Sequence, residues 1–125
     1  MNPPPLVHAL LAADRIVQSK ADGRCDLFGV FHALNLRLPT HLTFAVYFVL
    51  TGVHGGVEID LAFLDPDDTR LGGGPIRAAI DDPLAVIQGT AGFYVPIDMP
   101  GRYRLRIESS GEVLAERPIL IGSGT

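Results

Sequence analysis

Phe44-Ala45-Val46-Tyr47-Phe48-Val49-Leu50 is an unbroken run of seven apolar residues in a chain whose other signals describe antiparallel β-structure. An antiparallel sheet ordinarily gives one face to the core and one to water, so polar residues should occupy alternate positions. Here both faces of the strand are apolar. Such a strand has to be covered on both sides, and a chain of 125 residues has little spare material for a second cover.

That length fits one domain. A domain of this size buries roughly two-thirds of its unfolded surface, enough for a core without staples. The residues are 47% hydrophobic, with a mean hydropathy of +0.28. Apolar content beyond what a core absorbs tends to end in an interface. A net charge of −4 argues against nucleic acid as a partner, because phosphate affinity needs a basic surface. Cys25 is the single cysteine, so no intrachain disulfide forms, and a lone thiol suits a reducing compartment. The start Met-Asn-Pro-Pro-Pro lacks the basic region of a signal peptide, and no apolar stretch approaches the ~20 residues of a membrane span. The expectation is a cytoplasmic protein without a membrane partner.

Residues 1–5 read as a flexible proline-rich arm and residues 6–125 as the domain. Ile16-Val17 leads into Asp22-Gly23, a hairpin signal when apolar runs flank it. The following stretch, Cys25 to Leu38, reads as one strand with Gly29 marking a bulge or a close approach. Next come the run from His41 to Thr51 and an alternating strand with Val57, Ile59, Leu61 and Phe63 on one face. Asp65-Pro66-Asp67-Asp68 is a turn, with Pro66 presetting φ. Leu71 to Pro75 reads as a mobile glycine-rich loop, Ile76 to Ile80 as a short edge strand, and Gln88 to Ile97 as a further strand.

The last hairpin is amphipathic: Tyr103, Leu105 and Ile107 alternate with Arg102, Arg104 and Arg106. A three-residue loop, Ser109-Ser110-Gly111, sets Arg104 opposite Glu116, whereas a two-residue loop sets it against Arg117; the first is the expected pairing. Short strands with turn signals at intervals of about 8–12 residues indicate an all-β fold, an antiparallel, immunoglobulin-like β-sandwich of about seven or eight strands.

Leu27-Phe28-Gly29-Val30-Phe31, the Leu64-Asp65-Pro66-Asp67 turn and Pro100-Gly101-Arg102-Tyr103-Arg104-Leu105 together resemble an uncharacterised family of small bacterial proteins, a domain of unknown function. The resemblance covers nearly the whole chain. It implies a β-sandwich and carries no catalytic residue.

The chemistry-bearing residues do not assemble into a motif. His8, His32, His41 and His54 show no close ligand pair of the kind that fixes two metal ligands on one element. Asp65, Asp67 and Asp68, joined by Asp81 and Asp82, are the residues a calcium-dependent binding module would use, although an Asp-Pro-Asp-Asp sequence is also an ordinary type I turn. There is no nucleophile elbow, Walker loop or dinucleotide fingerprint. Cys25 reads as a small hydrophobe, Glu58 and Asp60 as a solvated outer face, and the three arginines as a salt-laced sheet neutralised by Glu108, Glu112 and Glu116. No catalytic residue, cofactor or metal is assigned, and the reading is not an enzyme.

What remains is surplus apolar surface. Both parities of Leu27 to Leu34 are apolar, as in the opening run. If one face fills the core, Ala45, Tyr47 and Val49 are left on the other. The expected function is therefore a non-catalytic sandwich that self-assembles, or binds another protein, through Ala45, Tyr47 and Val49. The competing cover is the Leu71 to Pro75 loop or the proline-rich arm.

Overall fold

A computed structural model describes residues 4–53, 55–80 and 84–124, with side chains described for the same residues apart from 55–57 and 77–80. The described residues form strands and turns. The strands are β1 (Leu6–Gln18), β2 (Cys25–Phe31), β3 (Ala33–Leu36), β4 (Thr40–Thr51), β5 (Gly55–Leu64), β6 (Arg70–Ile80), β7 (Ile87–Ile97), β8 (Gly101–Ser109) and β9 (Glu112–Ser123). They lie in two sheets, ordered β2-β1-β4-β7 and β3-β9-β8-β5-β6. We call the first sheet A and the second sheet B.

The connectivity is distinctive. β4 pairs with β7 in sheet A, while β5 pairs with β8 and β8 with β9 in sheet B. These are the B–E, C–F and F–G pairings of an immunoglobulin domain, with β1 in the place of strand A and β6 beside β5 as C′. Tyr103, near the start of β8, donates its hydroxyl proton to the Met99 carbonyl at 2.7 Å. That is the tyrosine corner of such domains. The fold is immunoglobulin-like.

The core is the alternating inward side of both sheets. Phe44, Val46, Phe48 and Leu50 of β4 meet Ile59, Leu61 and Phe63 of β5 and Tyr103, Leu105 and Ile107 of β8. Aromatic rings fill its centre: Phe44 and Phe93, cross-strand partners, stack with centroids 5.1 Å apart, and Phe63 stacks on Tyr103 at 5.6 Å. With no disulfide available, Leu105 occupies the position two residues after the corner tyrosine where antibody domains place a cysteine.

Three local expectations are corrected. Cys25 to Leu38 is not one strand. The chain changes sheet at His32, so β2 joins β1 in sheet A while β3 runs parallel to β9 in sheet B. Apolar residues on both parities let this segment serve two layers. Leu71 to Pro75 is not a mobile loop, because it belongs to β6 and pairs with β5 from Gly74↔Leu61 to Gly72↔Phe63. Glycine is required there: Gly73 has φ of 124°, and a Cβ at this position would overlap the Leu61 carbonyl.

The third correction is the register of the final hairpin. Its loop is the two-residue Ser110-Gly111, with φ of 51° and 79° as a type I′ turn needs. Leu114 then bulges between the Glu108↔Val113 and Ile107↔Ala115 pairs, and Arg104 comes to face Pro118. The extra residue displaces both registers considered from sequence.

Candidate functional site

The outer face of sheet A is where the sequence placed its surplus. Ala45, Tyr47 and Val49 do point outward from β4, and each is half-buried. Their neighbours on that face are Ala9, Leu11 and Ala13 of β1 and Gln88, Thr90 and Gly92 of β7. Ala13 is fully buried although it lies on this outer side, so something covers it.

The cover is the β1–β2 hairpin. β1 pairs with β4 as far as Ala13↔Ala45, and with β2 from Ala12↔Phe31 to Gln18↔Cys25. Continued straight, the five residues after Ala13 would carry the strand about 17 Å past Ala45 toward the Thr40 end. The hairpin tip is found elsewhere. Gln88, which pairs with Val49 in the opposite direction, donates from Nε2 to the Gly23 carbonyl at 2.7 Å, and its Oε1 accepts the Tyr47 hydroxyl at 2.7 Å. The hairpin therefore doubles back over the sheet.

The bend falls at Asp14 and Gly29, which lie between the Ala13↔Val30 and Arg15↔Phe28 pairs. Gly29 has φ of 67°, and a Cβ there would overlap the Asp14 carboxylate. At the tip, Ser19 and Gly23 close the turn, and Asp22 Oδ1 accepts from the Arg24 amide at 3.1 Å. Sequence reasoning missed Gln88 and the folded-back hairpin. The available signal was Ile16 and Leu27, apolar residues on the second parity of two strands known to form a hairpin.

One side of this hairpin, with Ile16, Cys25 and Leu27, is half-buried. The other side is open: Val17 is 45% exposed, Phe28 41% and Val30 52%, with Leu11 alongside at 39%. Arg15 lies over the Phe28 ring at 4.3 Å. The apolar surface has been moved outward from Tyr47 to Phe28.

The remaining candidates disperse. Asp65 Oδ1 accepts from the Asp67 and Thr69 amides at 2.8 and 2.9 Å, and Asp68 pairs with Arg104. The loop carboxylates thus hold their own turn together. Asp81, Asp82 and His54 lie outside the described residues. His8 is hydrogen-bonded to Thr51 Oγ1, whereas His41, at the other end of β4, stacks on Tyr94 at 4.8 Å. Among the described residues no three His, Cys, Asp or Glu side chains gather as a metal site.

On sheet B two of the three arginines of β8, Arg104 and Arg106, are ion-paired, with Glu108 and Glu116 as partners expected from the charge pattern. Arg106 binds Glu116 at 2.8 Å and Glu108 at 3.4 Å, and Arg104 lies 3.8 Å from Glu116. A cleft of about 500 Å³ is lined by Glu58, Asp60, Arg70 and Glu108. Within it Arg70 grips both oxygens of Asp60 at 2.8 and 2.9 Å, and this contact raises the guanidinium pKa above its usual value. A carboxylate held this way is a structural ion pair.

No protein-family model matches the chain, and the search of curated proteins found no match. Among solved structures, an immunoglobulin-like protein from Pseudomonas aeruginosa is 15% identical with a TM-score of 0.49, over 96% of this chain and 98% of that one. An alkylpurine DNA glycosylase from Pseudomonas fluorescens, bound to DNA with an abasic-site analogue, is 12% identical with a TM-score of 0.48. The match covers 95% of this chain and spans 30% of the glycosylase. At such identities and scores neither likeness bears on function.

Proposed function

We propose that this protein is a non-catalytic β-sandwich that associates with a second copy of itself through the outer side of sheet A and the hairpin folded over it. The observation that carries the reading is the exposed stripe of Leu11, Val17, Phe28 and Val30 beside half-buried Ala45, Tyr47 and Val49. Sheet B offers the contrast, since the outer face of β8 carries the ion-paired Arg104 and Arg106. The hairpin stripe carries one cation and one anion on the same side, Arg15 and Asp26, which a twofold pairing would set against each other across copies. The non-catalytic part is supported by carboxylates already committed to Arg70, to Arg106 and to their own turn.

Light scattering tests this. The expected solution mass exceeds 13.4 kDa, and Phe28→Glu or Tyr47→Glu lowers it toward the monomer. Phe28 is the cleaner probe, because its ring is already partly in water and the folded monomer tolerates the change. A wild-type mass of one chain across the micromolar range would sink the proposal.

A further inference from the structure

A sheet edge exposes unpaired N–H and C=O groups, and folded proteins protect such edges with charge, proline, kinks or brevity. Three of the four outer strands here do so. β3 has only four residues. β2 carries Asp26 and the positive-φ Gly29. β6 carries Arg70, Pro75 and Gly73, the last at φ of 124°. The part of β1 before Ala12 is also open on one side, but it is bulged between Val7 and Ala9, and Arg117 and Pro118 of β9 line the cleft beside it.

β7 is the exception. Its eleven residues, Ile87 to Ile97, contain no charged side chain, and the one proline, Pro96, stands at the far end. It is fully paired with β4 on one side, from Leu50↔Ile87 to Thr40↔Ile97. Among the described residues no other backbone hydrogen bond reaches it. A long, uncharged edge, which β6 approaches without pairing to it, is a template for another strand.

We infer that two copies of this chain pair along β7, antiparallel about a twofold axis, joining the two A sheets into one continuous sheet. The inference rests on the reading that copies associate, and it gives a second interface with its own twofold axis, through a different copy from the one on the face described above. Self-pairing sets residues of one strand against the same strand reversed, so any charge would tend to meet its own kind. β7 avoids this penalty in every register, and β3, the other uncharged edge, is only four residues long. Tyr94, 69% exposed and steadied by its stack on His41, offers an aromatic to the outer face of the joined sheet, where β-branched Thr90 of the other copy is within cross-strand reach.

The deciding experiment is a cysteine scan with Cys25→Ser as background. Gln88, Thr90, Gly92 and Tyr94 are replaced by Cys one at a time, and intermolecular disulfides are measured under mild oxidation. In a twofold antiparallel pair a residue at the axis meets itself, at the Cα separation of about 4.5–5.5 Å that a disulfide accepts. Gly92 has room for the new side chain, with nothing within 4 Å of a Cβ. The expected result is one cross-linking maximum within the strand, falling away by two residues on either side. In parallel, Gly92→Lys is expected to lower the assembled mass, because in the register that sets Tyr94 against Thr90 the two residues 92 meet at the axis and two like charges then face each other.

Cross-linking at none of the four positions, in a protein whose wild-type mass exceeds one chain, would overturn the β7 edge and leave the face contact standing. Conversely, a β7 maximum with a mass unaffected by Phe28→Glu would keep the edge and remove the face. A monomeric wild type would overturn both.

Discussion

Replacing Tyr103 with Phe removes one oxygen from the centre of the fold and nothing else. The ring is 1% exposed and stacked on Phe63, and its hydroxyl makes a single bond, to the Met99 carbonyl four residues upstream. Phe keeps the ring, so packing is unchanged. A lost neutral hydrogen bond costs about 0.5–1.5 kcal/mol, and a carbonyl deprived of its donor adds part of a desolvation penalty of about 1–3 kcal/mol. Met99 itself is 38% exposed, so water recovers some of that carbonyl, and the expected total is about 1–2 kcal/mol. With an unfolding entropy of about 2.1 cal/mol/K per residue, a chain of this length has about 260 cal/mol/K at its midpoint. The melting temperature should then fall by about 4–8 °C, measured by calorimetry or circular dichroism at neutral pH. A fall of less than about 1 °C would refute the view that the corner bond pins the β7–β8 connection. A fall beyond about 15 °C would mean the ring had moved, and that packing rather than the hydroxyl was at stake.

Two further outcomes follow from the same structure. Gly73→Ala should destabilise by about 2–3 kcal/mol in chemical denaturation, since both its φ and the Leu61 carbonyl oppose a side chain. Gly74→Ala, with open space at its Cβ, should stay within about 0.5 kcal/mol, and equal effects at the two sites would contradict the β5–β6 register. Burial pushes the Tyr103 phenol above its usual value of 10.0. The unfolded chain therefore loses this proton first, and the stabilisation is complete below pH ~10 and lost as pH rises toward the folded value. The stability gap between wild type and Tyr103→Phe should narrow in alkaline melts; a gap constant to high pH would disprove the assignment.

The sandwich was legible because its turns and its alternation are local. Asp22-Gly23, Asp65-Pro66-Asp67-Asp68 and the Tyr103-Leu105-Ile107 stripe each report on neighbours within a few residues, and all three lie where the pattern puts them. The final hairpin shows the limit of this. Ser110-Gly111 specifies a tight turn, but the bulge at Leu114 depends on how β9 meets β8 and β3, so the partner of Arg104 was not readable.

The candidate surface shows the same division more sharply. The apolar double face of Phe44 to Leu50 was a property of the sequence alone, and on its outer side Ala45, Tyr47 and Val49 are half-buried. Which segment lies over that side was decided in three dimensions, by a kink at Gly29 and a bond from Gln88 to Gly23 across 65 residues of chain. Periodicity records which side of a strand is apolar, because side chains alternate by covalent geometry. It does not record which distant segment lies over that side, because that is set by long-range contacts made after the strands exist.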